Sequence, residues 1–544
     1  MRQRISGSRD AVETTEKLQD VLEASLAAQQ SGQLEIAKQH ACQALEIDGF
    51  NADAWNLLGT TLLMSRELNA ALECLSKACE LINGHAELHN NLGVVLLELG
   101  QIKMAARQFQ TSLGLQPEAP NALMNLANCL LRENRLHDAE AIYRELLESH
   151  PNDANTLANL GEVLRRQCRW KEAIECLERS ADANSKDLIP RVSLGRTQAN
   201  AGQLDAALNT FQGLAERVPQ DSKVRHYLGK TLFDLGRWNE AVEELQRAHA
   251  LDPTDAHILC TLGFLQLELD QREKATECFR RAIQQDPHLS EAHGCLLYLM
   301  SGDPDVHPQQ LFDEHVLWGR RYSASQPISH HENSRSPDRK LRIGYVSADF
   351  RQHAAAGFFE PLLRLRDAET FEVYCYHEFA LADDVTEQLK ALSDHWRYTH
   401  GYSDQQVVRQ ILEDKIDILV DLSGHTWGSR LTAFSYKPAP IQISWLGYPN
   451  TTGVPAIDYC LTCEVQNPST ESLDYHTEEL IRLPSGSFSF SPPNNAPELT
   501  PLPALERGYV TFGSLHRPFK ISRTTHDLWA ETLLACPDSK LIAF

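Results

Sequence analysis

Two short polar clusters carry the side-chain types from which group-transfer chemistry is built. The first is Ser347-Ala348-Asp349-Phe350-Arg351-Gln352-His353, which follows an apolar run and leads into Ala354-Ala355-Ala356-Gly357. Asp349 and His353 stand four apart in a loop that opens a helix. That spacing sets an imidazole beside free helix N–H groups and suits anion recognition or proton transfer. A histidine satisfied by local structural bonds is the competing reading. The second cluster is Asp421-Leu422-Ser423-Gly424-His425-Thr426-Trp427-Gly428-Ser429-Arg430, again after an apolar run. Its glycines permit close backbone approach to a ligand, although two glycines in a turn say little alone.

The elements around these clusters alternate. Residues 341–347 and 371–377 read as strands with a helix at 357–366 between them. A helix at 404–414, a strand at 416–422 and an apolar segment at 441–446 follow. This texture predicts a doubly wound α/β lobe, in which ligands sit at the carboxyl ends of the strands. A second lobe begins near Gly508, with a strand at 509–514, a helix at 524–534 and a strand at 540–544.

The first half has a different period. Sliding the chain against itself by 34 residues brings small residues into register from Leu18 to Leu289, giving eight units. Alanine recurs at Ala37, Ala71, Ala105, Ala139, Ala173, Ala207, Ala241 and Ala275. Leu-Gly or Leu-Ala pairs recur from Leu58-Gly59 to Leu262-Gly263, and Pro117, Pro151, Pro219, Pro253 and Pro287 close many units. Each unit predicts two antiparallel helices whose small residues let the backbones approach and whose proline ends the second helix. The period and signature resemble the tetratricopeptide repeat, so the units stack into a superhelix with a concave surface suited to polypeptide. Asn91, Asn125 and Asn159 precede the Leu-Gly/Ala pair in three successive units. A carboxamide ladder of this kind grips a peptide backbone without reading its sequence, while a tolerated polar helix face is the alternative.

The divisions follow as a polar N-terminal segment 1–17, repeats 18–289, a helical junction and linker 290–339, a first α/β lobe 340–506 and the start of a second lobe 507–544. The linker, rich in Ser, His, Pro and charge, is a tether or an ordered strap. The 544 residues carry 51 Lys plus Arg against 74 Asp plus Glu, a formal charge of −23. That balance argues against nucleic acid or an anionic membrane as the main partner. No signal peptide or long apolar run is present, so a cytoplasmic protein is expected. The 13 cysteines are scattered and read as reduced thiols. Only Cys460 and Cys463 form a C-x-x-C, and packing is preferred over a metal or redox role for them.

One run is highly specific. Lys437-Pro438-Ala439-Pro440-Ile441-Gln442-Ile443-Ser444-Trp445-Leu446-Gly447-Tyr448-Pro449-Asn450-Thr451-Thr452-Gly453, with Gly424-His425-Thr426 and Asp349…His353, resembles the protein O-linked N-acetylglucosamine transferase family and its SPINDLY-type fucosyltransferase branch. The resemblance covers essentially the whole chain. It implies a tetratricopeptide superhelix followed by a glycosyltransferase of the two-Rossmann-lobe (GT-B) type. The implied activity is metal-free transfer, with inversion, of a sugar from UDP-N-acetylglucosamine or GDP-fucose to Ser or Thr hydroxyls of proteins. No cofactor is implied beyond this nucleotide-sugar substrate. The implied partners are protein or peptide acceptors, with no nucleic acid or membrane, and a homodimer is the expected self-association.

By the same resemblance His353 falls on a catalytic-loop histidine near the donor phosphate and acceptor, with Asp349 heading that loop. His293 falls near a further histidine considered as a base. Gly447 and Pro449 match the loop that touches the donor sugar, while His425 and Arg430 match the acceptor side of the cleft. Lys520, in Phe512-Gly513-Ser514-Leu515-His516-Arg517-Pro518-Phe519-Lys520, matches a lysine on the donor phosphates, with a solvated surface lysine as the alternative. Whether His353, His293 or the donor phosphate takes the substrate proton is left open by the residues. Two positions depart from the family pattern: Cys463 follows Leu461-Thr462 where Asp is usual, and Leu515-His516 replaces Phe-Asn. A complete nucleotide-binding lobe needs on the order of 100 residues beyond its first strand. The sequence therefore predicts an incomplete second lobe that binds donor poorly and exposes apolar surface, and a non-catalytic repeat scaffold is the rival reading.

Overall fold

Helices pack closely where one of them gives up its side chains, and the 34-residue period puts such positions face to face. The protein is described by a computed structural model covering residues 2–336, 338–468, 475–492, 496–516 and 521–543, with side chains from residue 15 onward. Second helices of the repeats begin at Leu34, Leu68, Ile102, Leu136, Trp170, Leu204, Trp238 and Arg272, each 34 residues after the last. A Cβ placed on Gly59 would lie 2.6 Å from Leu75 Cγ. Gly93, Gly195 and Gly263 seat Phe109, Phe211 and Phe279 in the same way. The Leu-Gly pairs are thus sockets for the large residue of the partner helix. The recurring alanines, Ala37 to Ala275, are fully buried.

A second periodic feature is hidden in the sequence. Gly32, Arg66, Gly100, Asn134, Cys168, Gly202, Gly236 and Asp270 all adopt positive φ, between 57° and 75°. They stand in the turns that join the two helices of each repeat, where a left-handed residue closes the helix end. Four of the eight are not glycine, so residue type does not reveal the position.

By compactness the chain divides into Met1–Ser193 and Leu194–Phe544. The first unit holds repeats around one apolar core that includes Leu75, Leu96, Phe109, Leu130 and Tyr143. The second contains the last repeats, the junction and the α/β domain, so compactness groups repeats from Leu194 with the sheet. The helix Ser290–Ser301 starts 34 residues after Ala256–Glu268, and Pro308–Tyr322 follows it. The described residues of this linker, 323–336 and 338–339, form an ordered strap. Ile328 N–H donates to the Tyr436 carbonyl at 2.8 Å, and Arg339 donates from both Nη atoms to Asp417 at 2.6 Å.

Seven parallel strands form the main sheet: β1 (Leu341–Ser347), β2 (Phe371–His377), β3 (His395–Tyr398), β4 (Ile418–Asp421), β5 (Ile441–Ser444), β6 (Tyr459–Cys463) and β7 (Glu479–Leu483). Their order is β3-β2-β1-β4-β5-β6-β7. The order of strand addition reverses between β1 and β4, which places a crevice at the carboxyl ends of those two strands. Alternation along the strands feeds two cores. Tyr345, Cys375 and Val420 pack on one face with Phe350 and Phe359. Val346, Tyr374, Tyr376 and Leu419 pack on the other with Leu297 and Trp318 from the junction helices.

Several boundaries shift. The helix predicted at 357–366 is Ala354–Leu365, because His353 caps it by accepting from Ala355 N–H. The segment 441–446 is a strand only to Ser444, since Leu446 turns to φ 73°. The second lobe is represented by the parallel pair β8 (Thr511–Ser514) and β9 (Lys540–Ala543), joined through the helix Arg523–Ala535. Leu528 and Leu534 on that helix are exposed.

Candidate functional site

The crevice is shaped by three loops, each held by buried polar groups. At the end of β1, Ser347 Oγ accepts from Asp349 N–H at 3.0 Å, and the Phe350 carbonyl accepts from Thr386 Oγ1 at 2.8 Å. Gln352 N–H donates to Asp383 at 2.7 Å. These bonds tie the loop to the start of the helix Asp384–Leu392. They leave His353 partly exposed, its Nδ1 accepting from Ala355 N–H at 3.3 Å and lying 3.6 Å from Asp349 Oδ2. Arg351 lies 4.4 Å over the Phe379 ring, which meets Trp427 edge-on at 5.7 Å. The first and second clusters are thereby linked through aromatic side chains.

At the end of β4, buried Asp421 accepts from Gly424 N–H at 2.7 Å and Ser423 N–H at 3.2 Å. Burial pushes its carboxyl up to about 6, although those bonds oppose the rise. Gly424 has φ 56°, and a Cβ there would stand 2.2 Å from Tyr448 Cβ. His425 follows and is buried, 2% exposed. Its Nε2 donates to the Thr452 carbonyl at 2.8 Å, and its ring meets Trp318 edge-on at 4.7 Å. Burial, helped by nearby His315, holds the imidazole well below its ordinary range and therefore neutral. Arg430 pairs with Glu378 at 2.8 Å and Asp404 at 3.1 Å. Burial works against its charge, but the two carboxylates outweigh that and keep it a cation.

The third loop follows β5. A Cβ on Gly447 would lie 2.0 Å from the Leu422 carbonyl oxygen, so the β5 loop presses directly on the β4 loop. Tyr448 donates to His315 Nε2 at 2.8 Å while His315 Nδ1 donates to the Leu311 carbonyl at 2.7 Å. Burial lowers that imidazole to about 4. Glu478 accepts from Thr451 Oγ1 at 2.6 Å and Thr452 N–H at 2.7 Å.

Two cavities open here. One, about 260 Å³, is lined by the second cluster from His425 to Thr432, by Glu378 and His400, and by Ser290, Glu291, Gly294, Cys295 and Trp318 of the junction helices. The other, about 250 Å³, is bordered by Leu446, Pro449, Cys460, Thr462 and Phe488. His425 and Arg430 therefore meet in the first cavity and Pro449 in the second, while His353 and Asp349 stand outside both linings. His293 is not presented to the crevice. It is 1% exposed, its Nε2 lies 2.7 Å from Glu314 and its ring packs edge-on against Tyr322. That burial sets it apart from His353, whose side chain is 44% exposed. Lys520 lies outside the described residues.

Asn91, Asn125 and Asn159 donate to Asn56, Asn90 and Asn128 at 2.9, 3.1 and 3.1 Å. Their amide groups thus bridge neighbouring repeats. Among the described residues no group of three His, Cys, Asp or Glu could hold a metal ion. No described helix is long and apolar enough to cross a membrane. Cys460 and Cys463 are free thiols, and Cys463 Sγ accepts from Ser487 Oγ at 3.7 Å. Glu378, Glu478, His315 and Trp318 are organising residues that sequence reasoning missed, since each acts through contacts distant in the chain.

Residues 313–491 match the family model of glycosyl transferase family 41, and tetratricopeptide repeat models match 90–154, 133–192 and 256–289. A probable UDP-N-acetylglucosamine–peptide N-acetylglucosaminyltransferase SPINDLY from Solanum lycopersicum is 38% identical over 250 residues, covering 45% of this chain and 26% of that protein. The probable transferase SEC from Arabidopsis thaliana is 32% identical over 216 residues, covering 37% of this chain and 22% of that protein. An O-GlcNAc transferase mutant from Thermobaculum terrenum is similar in structure, with TM-score 0.60 and 32% identity over 65% of this chain and 67% of that one. The chain spans about a quarter of the length of the curated relatives it matches.

Proposed function

The chain belongs to glycosyl transferase family 41, with tetratricopeptide repeats, and on that premise we propose that it transfers a sugar from a nucleotide donor to Ser or Thr hydroxyls of polypeptides. The observation that carries this reading is the crevice at the β1/β4 reversal. The His353 loop, the Gly424–Arg430 loop and the Gly447–Pro449 loop converge there, and the last repeat-type helix forms one wall of the adjoining cavity. Polypeptide would engage the repeats with the carboxamides of Asn91, Asn125 and Asn159 as backbone contacts.

In the reaction the acceptor hydroxyl attacks the anomeric carbon, forming a C–O bond as the bond to the nucleotide phosphate breaks. The phosphate keeps the electron pair, and the hydroxyl proton passes to a base. Rate is supplied by positioning and charge stabilisation. His353 accepts at Nδ1 from Ala355 N–H, which leaves Nε2 as the nitrogen that carries a proton. That tautomer donates, which suits a phosphate oxygen at the start of the helix Ala354–Leu365. Proton acceptance then falls to the donor phosphate. Asp349 heads the loop that carries this ring, and Lys520 supplies a cation to the diphosphate.

UDP-N-acetylglucosamine is the donor proposed first. GDP-fucose is the second reading, favoured by the Pro449-Asn450-Thr451-Thr452-Gly453 loop and its likeness to the fucosyltransferase branch. Calorimetric titration with UDP, UDP-N-acetylglucosamine, GDP and GDP-fucose separates them. Binding of one nucleotide class that is weakened by Lys520→Ala and by His353→Ala is the expected result. Absence of binding to all four, with no transfer to peptide, would leave a repeat scaffold as the surviving reading.

A further inference from the structure

The larger cavity holds two buried acceptors that nothing in the fold satisfies. Glu378 is 4% exposed and pairs with Arg430 through Oε2, yet its Oε1 has no hydrogen-bond partner among the described residues. His425 shows the same lack at Nδ1. The Thr452 carbonyl opposite Nε2 can only accept, so Nε2 carries the proton and Nδ1 is a bare lone pair. Both orphans are therefore acceptors, and each is left without the donor it would meet in water. Both residues line the same cavity.

Charge narrows the ligand further. Arg430 is shared between Glu378 and Asp404, so carboxylates outnumber the guanidinium, and exposed Glu291 borders the same space. Trp318 and Trp427 also line it, and indole faces attract cations more strongly than other rings do. The volume of about 260 Å³ is below that of pockets for whole drug-sized molecules but accepts one long side chain. Ser290, Glu291 and Gly294 of the last repeat-type helix form a wall, so a chain leaving the repeats passes this opening.

We propose that the cavity is a subsite for one lysine or arginine side chain of the acceptor polypeptide, making Glu378, His425 and Trp427 determinants of acceptor choice. This rests on the polypeptide-acceptor reading above. The cationic head would donate to Glu378 Oε1 and His425 Nδ1, while its methylene stem lies along the tryptophans.

The test uses the full chain, labelled with fluorotryptophan, and serine peptides in which a single lysine is moved through each position on both sides of the serine. A matched series carries norleucine, of equal length and without charge. The expected result is one register in which lysine binds about tenfold tighter than norleucine and shifts the fluorine signals of Trp318 and Trp427. Glu378→Gln should erase that preference. If that variant unfolds by circular dichroism, Trp427→Ala, at a side chain 42% exposed, takes its place and should reduce the preference. No preferred register, or a preference unchanged in the variant that folds, overturns the subsite. Equal sugar transfer to both series would sink the subsite and leave the transferase reading intact. A lysine preference in binding without transfer to either series would do the reverse.

Discussion

Asp421 shows how one buried carboxyl shapes the crevice. Its two oxygens hold the Ser423–Gly424 turn, and its carboxyl is raised from 3.8 to about 6 by burial. An acid raised on folding contributes stability that is fully present below about 3.8 and lost as pH climbs through about 6, because the folded state resists ionisation. The difference corresponds to about 3 kcal/mol. We therefore expect the stability of the parent chain minus that of Asp421→Asn to fall between pH 4 and pH 7 in urea unfolding. A difference independent of pH would mean that the carboxyl ionises freely in the fold. His353 and His425 illustrate opposite fates of one residue type. His353 stays partly exposed as a helix cap, while His425 is a neutral buried acceptor.

At the scale of elements, the repeat turns store strain that residue type alone conceals. Arg66 occupies the left-handed position that Gly32, Gly100, Gly202 and Gly236 fill elsewhere. Its ion pair with Glu98 at 2.7 Å joins side chains 77% and 40% exposed, and such pairs contribute little. Arg66→Gly should therefore stabilise the repeats by about 0.5–1 kcal/mol, since a left-handed residue with Cβ costs roughly 1–2 kcal/mol and glycine returns part of that as backbone entropy. A thermal midpoint that drops would refute the strain. Docking of the junction helices uses the opposite device. A Cβ on Gly319 would lie 1.7 Å from the Gly453 carbonyl oxygen, so Pro308–Tyr322 touches the β5 loop backbone to backbone, and that contact seats Trp318 and His315 beside the crevice.

For the whole molecule, acid is the informative variable. His226, His315 and His377 are lowered to about 4 and His425 well below its ordinary value, in each case chiefly by burial. Histidines kept neutral by the fold contribute stability that is complete above their ordinary value of 6.5 and lost as pH falls toward about 4. All four lie within Leu194–Phe544. Melting followed by near-ultraviolet circular dichroism, which reports the tryptophans around the crevice, should therefore shift to lower temperature between pH 6.5 and pH 4.5. His377→Phe should reduce that shift; a profile flat over this range would show that these rings reach solvent.

Much of this was legible in the chain. The 34-residue period, the buried alanines and the glycine sockets are local patterns, because each repeat contacts mainly its neighbours and sequence distance stands for spatial distance. The long Lys437–Gly453 run and the polar ends of β1 and β4 likewise marked the crevice before any coordinate was known. The strand order, the pairing of Glu378 with Arg430 and Asp404, and the clasp of Tyr448 on His315 were not legible. Each joins residues far apart in the chain, from 26 for Arg430–Asp404 to 133 for His315–Tyr448. Residue type could not say that His293 would be buried against Glu314 while His353 remained at the surface. Burial is a property of what packs around a side chain, and only the tertiary structure decided it.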